Sequence, residues 1–183
     1  MLIELPRYHW PYPKNLYLET RNSVVSFAQR AGTIILAASI VIWFLASAPY
    51  GVEYGSKDSL AGMIGGTVAP IFSPLGFSSW QSGFALLNGM VAKEVVISTF
   101  ATTYSVANEA QLPMAIAKEF TPASALAFMI FVLLYVPCFA AMGTIQSETK
   151  SWKLTFIAAI YYLIVAYGIA FLAYSIASGV LGM

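Results

Sequence analysis

The sequence predicts an all-helical integral membrane protein with about four to five transmembrane or re-entrant helices, and three observations lead there. Of its 183 residues, 59% are apolar and 9% charged, whereas soluble domains carry about 45 to 50% and about 25%. Twelve Phe, 11 Tyr and 4 Trp, with a mean hydropathy of +0.75, make helices apolar on every side, and in so short a chain only lipid solvates such helices. Uncharged runs near spanning length alternate with polar loops marked by glycine and proline. The same composition excludes several function classes. A formal net charge of +1 leaves no electrostatic footprint for nucleic acid. One cysteine and one histidine rule out a disulfide framework and a four-cysteine metal site, and give a hydrolase or zinc enzyme little to be built from. No G-x-x-x-x-G-K-S/T occurs, so GTP is not expected to bind this chain. The first thirty residues hold no leading apolar run, so a secretory signal peptide is not expected.

Residues 1–30 read as an interfacial arm followed by an amphipathic helix, and 31–183 as the membrane domain. Pro6, Pro11 and Pro13 among Tyr8, His9, Trp10, Tyr12 and Tyr17 resist helix and suit the headgroup layer; His9 is read as a surface histidine without a role. From 16 to 30, Leu16, Leu18, Val24 and Val25 mix with Glu19, Arg21 and Arg30, as in a helix lying in the interface. Residues 31–48 carry no charge over eighteen positions, about 27 Å of helix and just enough for a first span. A polar loop follows, with Pro49, Glu53, Lys57 and Asp58.

Residues 60–77 are uncharged but hold Gly62, Gly65, Gly66, Pro70, Pro74 and Gly76, which predicts a broken span or a re-entrant segment. Gly62 and Gly66 form a G-x-x-x-G that lets another helix approach closely. Residues 80–104 form a twenty-five-residue apolar stretch interrupted by Lys93 and Glu94. After a second polar loop, 122–145 is again uncharged, broken by Pro137 and Gly143, and a last long helix starts at Trp152. Positive charges cluster at Arg7, Lys14, Arg21 and Arg30 and again at Lys150 and Lys153, so both places are expected on the cytoplasmic side. The three segments between them then contribute an odd number of crossings. Five spans, or three spans with re-entrant hairpins, satisfy that condition.

Ionisable side chains in the middle of a span cost about 2.5 to 3.5 kcal/mol each on insertion scales unless they face protein or water, so Lys93 and Glu94 ask for a reason. On a straight helix Glu94, Ser98 and Thr102 line one face and Lys93 points about 100° away, a hydrated or ion-lining stripe. The other readings are a polar turn at the end of a shorter span and a structural Glu–Lys arrangement without transport. Cys138 follows Pro137, whose ring removes a backbone donor and exposes an upstream carbonyl near the thiol. Met142 lies one turn further, so two sulfurs share a helix face. Taken alone, a lone buried cysteine is most often a small hydrophobe and an i, i+4 methionine usually packing, so the pair is weak evidence for soft-metal contact.

Three stretches carry a family resemblance: AGTIILAASIVIWFL at 31–45, SLAGMIGGTVAPIFSPLGFSSWQSGFALLNGMVAKEVVISTF at 59–100, and YVPCFAAMGTIQSETKSWK at 135–153. In order and spacing they resemble the C-terminal membrane portion of the ferrous iron transport protein B family. That resemblance implies the second of two gate modules, distantly similar to nucleoside-transporter membrane domains, with Cys138 as an iron-path residue. Ala141 stands where the family commonly has a threonine, and Gln146 with Ser147 where it has basic residues.

The implied function is half of a transmembrane ferrous ion path, in a multi-pass protein of a prokaryotic inner membrane. Glu94 would supply a carboxylate and Cys138 a sulfur to the metal, Ser98 or Thr102 neutral oxygens, and Pro137 the helix break, with Lys93 keeping Glu94 charged while the site is empty. Fe2+ is expected as the transported ion, with no permanently bound cofactor and no catalysis by this chain. The implied partners are the lipid bilayer, a guanine-nucleotide-binding domain and a first gate portion carried elsewhere, with homo-oligomerisation as a further option. The alternatives are a gate-type membrane scaffold or assembly protein, and a carrier of nucleoside-like organic solutes.

Overall fold

The computed structural model describes residues 10, 12–105 and 111–181; the greater part of the expected interfacial arm, His9 included, lies outside the described residues. Eight α-helices are found among them, and the all-helical membrane class holds. α1 (Pro13–Ser47) starts with a proline at its first position, where the missing N–H costs nothing. It runs unbroken through residues 30 and 31, so the backbone has no joint at the expected boundary between the interfacial helix and the span.

α2 (Leu60–Val68) is capped by Ser59, whose hydroxyl accepts the Gly62 N–H at 3.0 Å. It tightens into a 3-10 turn over Ala69–Leu75, which Pro70 and Pro74 impose by removing donors. Gly76, in the left-handed region at φ 81°, ends it. α3 (Trp80–Gly89) follows, capped by Ser79, and leaves the preceding helical piece at an angle of 101°. The expected broken or re-entrant character of 60–77 is thus what the proline and glycine content produces.

The stretch 80–104 departs from a single straight helix. It is a hairpin: α3, a break at residues 90–94, and α4 (Val95–Thr103). The antiparallel pairing is visible at both levels of the legs. A Cβ on Gly89 would meet Val96, while one on Gly55 of the preceding loop would meet both Phe84 and Thr102. Glu119 bridges the open end, accepting from Gln81 Nε2 at 3.2 Å and from the Tyr104 hydroxyl at 2.7 Å. Burial and that hydrogen bond push the Tyr104 hydroxyl's pKa up.

A short α5 (Leu112–Ile116) leads into α6 (Pro122–Leu134), with Thr121 as its cap. α7 (Phe139–Thr149) and α8 (Trp152–Leu181) complete the chain. Three helical stretches are long and apolar enough to cross a membrane, namely Pro13–Ser47, Pro122–Thr149 and Trp152–Val180. The core sits between the hairpin, the 3-10 turn and α6. Phe72, Phe77, Phe100, Phe120, Phe128 and Phe131 are buried there and meet largely edge to face, as at 5.0 Å between Phe77 and Phe128, the arrangement that ring quadrupoles favour. Ala166 and Ala170 of α8 are fully buried against the same cluster.

The close helix approach is not made by the Gly62/Gly66 pair. A Cβ on Gly62 would strike the Ser56 and Lys57 carbonyls of the loop, and one on Gly66 would meet the Trp80 side chain at an ordinary 3.7 Å. It is Gly65 and Gly83 that bring α2 and α3 into backbone contact: a Cβ on Gly83 would strike the Gly65 carbonyl, and one on Gly65 would lie 2.7 Å from the Phe84 nitrogen. We expect Gly83→Val to destabilise the chain in detergent by about 1 to 3 kcal/mol, the usual cost of overpacking, and Gly66→Ala to be neutral. Thermal unfolding of the two variants checks this.

Candidate functional site

The site is assembled from two interruptions of helix that face each other. The first is the hairpin tip, residues 90–94; the second lies between α6 and α7, at residues 135–138. Pro137 causes the second. Its ring carries no N–H, so the Leu133 carbonyl four residues earlier loses the partner a continuous helix would give it. Lys93 supplies the replacement: its Nζ donates to the Leu133 oxygen at 2.8 Å and lies 5.1 Å above the Tyr135 ring, a cation–π distance. Two further bonds close the crossing. The Phe139 N–H donates to the Met90 carbonyl at 3.0 Å, and the Tyr135 hydroxyl donates to the Leu86 carbonyl at 3.2 Å.

Sequence proximity makes Lys93 the expected direct counter-charge of Glu94. Its hydrogen bond goes instead to a backbone carbonyl across the crossing, and Glu94 acts on it only through space. Glu94 occupies the position just before α4, with no capping bond from its side chain. Glu94, just before α4, and Ser98 and Thr102 within it follow at four-residue steps, and all three are exposed. Cys138, partly buried and unbonded, occupies the position just before α7, within electrostatic reach of the Lys93 ammonium. Met142, one turn on, faces a cavity of about 550 Å³ between α1, α3 and α7 whose lining is almost wholly apolar.

The hairpin pairing adds residues that periodicity along one helix does not single out. A cleft of about 130 Å³ between α3 and α4 is lined by Tyr54, Phe84, Asn88, Val95, Ser98, Thr99 and Thr102. Asn88 and Thr99 are buried, and only the folding of α3 back onto α4 reveals that they share a space with Ser98 and Thr102. A polar amide in an apolar run six positions before Glu94 was the available signal. Among the described residues no group of three or more His, Cys, Asp and Glu stands close enough to hold a metal ion.

Residues 28–152 match the family description named Gate, for nucleoside recognition. The chain belongs to the Gate family. Both helix interruptions and the cleft lie inside the matched Gate region. The resemblance to FeoB holds as well. The chain is 42% identical over 176 residues to the Fe(2+) transporter FeoB of Staphylococcus aureus, covering 96% of this chain and 26% of that protein. It is 38% identical over 179 residues to the Fe(2+) transporter FeoB of Methanocaldococcus jannaschii, covering 93% and 26%. With the Fe(2+) transporter FeoB of Campylobacter jejuni it shares 33% identity over 190 residues, covering 96% and 31%. This Gate chain therefore spans about a quarter to a third of the length of those relatives. No solved structure matches it.

The Lys93–Leu133 bond gives a test of the crossing. Lys93→Met leaves the Leu133 carbonyl without its donor, and we expect a loss of about 0.5 to 1.5 kcal/mol, the net contribution of a hydrogen bond at an exposed acceptor. Pro137→Ala restores a backbone N–H that can reach the same oxygen, so the double variant should lose less than the sum of the single ones. A double-mutant cycle on thermal unfolding measures that coupling.

Proposed function

We propose that this chain forms one half of the transmembrane path of a prokaryotic ferrous iron permease, gated by a nucleotide-binding domain carried elsewhere. The observation that carries the reading is the meeting of two unwound segments, one bearing Glu94 and the other Cys138, in a Gate chain whose relatives are named Fe(2+) transporters. Irregular backbone inside a membrane protein is tolerated where it is buried or lines a water-filled path, and substrate sites in transporters are typically built at discontinuous helices.

The path runs along α4. Thr102 lies beside the loop at Gly55, and Glu94 lies eight residues deeper, about 12 Å at about 1.5 Å per residue. Ferrous ion is held by N, O and S donors more weakly than most later divalent metals, so a carboxylate, a thiol and a few hydroxyls can pass it on without trapping it. Lys93 positions the crossing and adds a positive charge beside Cys138, which disfavours a cation resting there. The basic clusters support a reading with Arg21 and Lys150 on the cytoplasmic side of an inner membrane. The partners are the nucleotide-binding and first gate portions of the transporter; this chain performs no catalysis and holds no permanent cofactor.

An organic-solute carrier needs a pocket of roughly 300 Å³ or more with convergent polar groups. The polar cleft has about 130 Å³, the cavities of about 550 and 420 Å³ are lined almost wholly by apolar side chains, and a third of about 410 Å³, which carries Lys57, Asp58 and Thr67, is an open surface groove and not an enclosing pocket.

In the assembled transporter, Glu94→Gln and Cys138→Ala should each lower ferrous uptake by about tenfold or more, a loss of about 1.4 kcal/mol of stabilisation, with membrane insertion intact. Losing a charge at depth favours insertion, so uptake assays normalised to membrane-inserted protein decide the matter; normal uptake by both variants refutes the path. In a Cys138→Ala background, Arg21→Cys and Lys150→Cys should both resist membrane-impermeant thiol reagents applied to intact cells. Labelling of one of them would overturn the orientation.

A further inference from the structure

We propose that the cleft between α3 and α4 is a cation site made of neutral oxygen acceptors, with Asn88 as its innermost ligand, and that it takes a divalent cation that has shed part of its water. The proposal deepens the permease reading, on which it rests, by naming a second group of ligands above Glu94.

The argument is an account of hydrogens. A hydroxyl has one hydrogen to donate and two lone pairs to offer. Ser98 Oγ donates its hydrogen to the Val95 carbonyl at 2.9 Å, Thr99 Oγ1 to the same carbonyl at 2.8 Å, and Thr102 Oγ1 to the Ser98 carbonyl at 2.9 Å. All three hydrogens are turned onto the backbone of α4. What these side chains present to the cleft is therefore lone pairs. Asn88 repeats the pattern on the opposite leg: its Nδ2 donates to the Phe84 carbonyl at 3.2 Å, which fixes the amide orientation and leaves Oδ1 as the group offered to the cleft. Asn88 is 8% exposed, and Oδ1 receives no hydrogen bond from any described residue. Tyr54, about half exposed, completes the lining.

An amide oxygen that opens onto the cleft without a donor is a free acceptor, and a cleft in which acceptors outnumber free donors attracts whatever brings positive charge. The lining carries no formal charge, so the hold is weak, as conduction requires of each site along a path. Glu94, one turn beyond Ser98, supplies the negative field that favours a cation over neutral water. Size completes the assignment. The cleft, about 130 Å³, admits an ion that meets these oxygens on one side and keeps water on the open side, where Ser98 and Thr102 are exposed. An ion resting there exchanges part of its hydration shell for Asn88 Oδ1 and the hydroxyls of Ser98, Thr99 and Thr102.

The test uses the purified full chain in lipid nanodiscs and Mn2+ as the probe, read by loss of the free-ion electron paramagnetic resonance signal. Weak saturable binding is expected, with Kd of about 10⁻⁴ to 10⁻³ M, the range of low-affinity oxygen sites. Asn88→Asp, which keeps the shape and adds a charge, should tighten it at least about tenfold, and Thr99→Val should weaken it severalfold. Thr144→Val, which removes a hydroxyl on α7 outside the cleft, should change nothing. Asn88→Leu should abolish binding; if that variant fails to fold, Asn88→Asp and Thr99→Val, with their helix content checked by circular dichroism, still distinguish a cation site from a hydrated cleft. Mn2+ affinity that is the same in wild type, Asn88→Asp and Thr99→Val would overturn the proposal and leave the cleft to water. Displacement of Mn2+ by Na+ at equal concentration would make it an alkali-ion site and overturn the divalent assignment. Because this binding is read on the chain alone, its failure is separate from that of the uptake experiment on Glu94 and Cys138.

Discussion

A backbone carbonyl set free inside a membrane protein has little water to turn to, and leaving it unpaired costs several kcal/mol. Pro137 creates such a carbonyl at Leu133, and the hairpin tip at residues 90–94 creates others. The structure satisfies them by bringing the two places together, through the Lys93–Leu133, Phe139–Met90 and Tyr135–Leu86 bonds. This mutual repair constrains much else. It fixes how deep the hairpin reaches, sets the level of Glu94 against that of Cys138, and gives a lysine in an apolar stretch a structural partner. A helix interruption in either element alone would be a defect; crossed, each supplies the donors or acceptors that the other lacks.

Packing makes the crossing possible. The Gly65–Gly83 contact lets α2 lie against α3 with no side chain between them, which turns the chain sharply enough for the hairpin to fold back. The aromatic cluster around Phe77, Phe100 and Phe128 then holds α4 against α6. Rings suit this position because edge-to-face contacts add direction to burial, and van der Waals fit counts for more where lipid is as apolar as the core. The long helix α1 shares little of this. Most of its large apolar side chains, such as Leu36, Trp43 and Phe44, remain exposed, as a surface solvated by lipid or by further protein does.

The membrane class and the two helix interruptions are legible in the sequence, because apolar composition, Pro137 and the Lys93–Glu94 pair are local signals. The Glu94–Ser98–Thr102 stripe is legible too, since the four-residue period applies to a short helix as well as to a long one. Residues 80–104 are a hairpin although their length equals that of a span; nothing in a run of apolar side chains marks where the backbone reverses. For the same reason Asn88 and Thr99 escape a reading of the sequence, being brought to the cleft by pairing between legs and not by spacing along one. The partner of Lys93 lies forty residues away, beyond the reach of any periodicity, and its neighbour Glu94 is the natural but incomplete choice. Among the glycines, the motif spacing of Gly62 and Gly66 draws attention from Gly65, whose significance depends on Gly83 in another helix.

Glu119 has a mechanical meaning. Its two carboxylate oxygens are shared between Gln81, at the foot of one hairpin leg, and Tyr104, at the foot of the other, while the tip is tied down at the crossing. A hairpin fastened at both ends can widen in the middle only by bowing or by letting go of a fastening. The carboxylate thus works as an aperture stop, setting the width between the legs by the span of a single side chain, and a loop outside the apolar stretches comes to govern how large an object fits between α3 and α4.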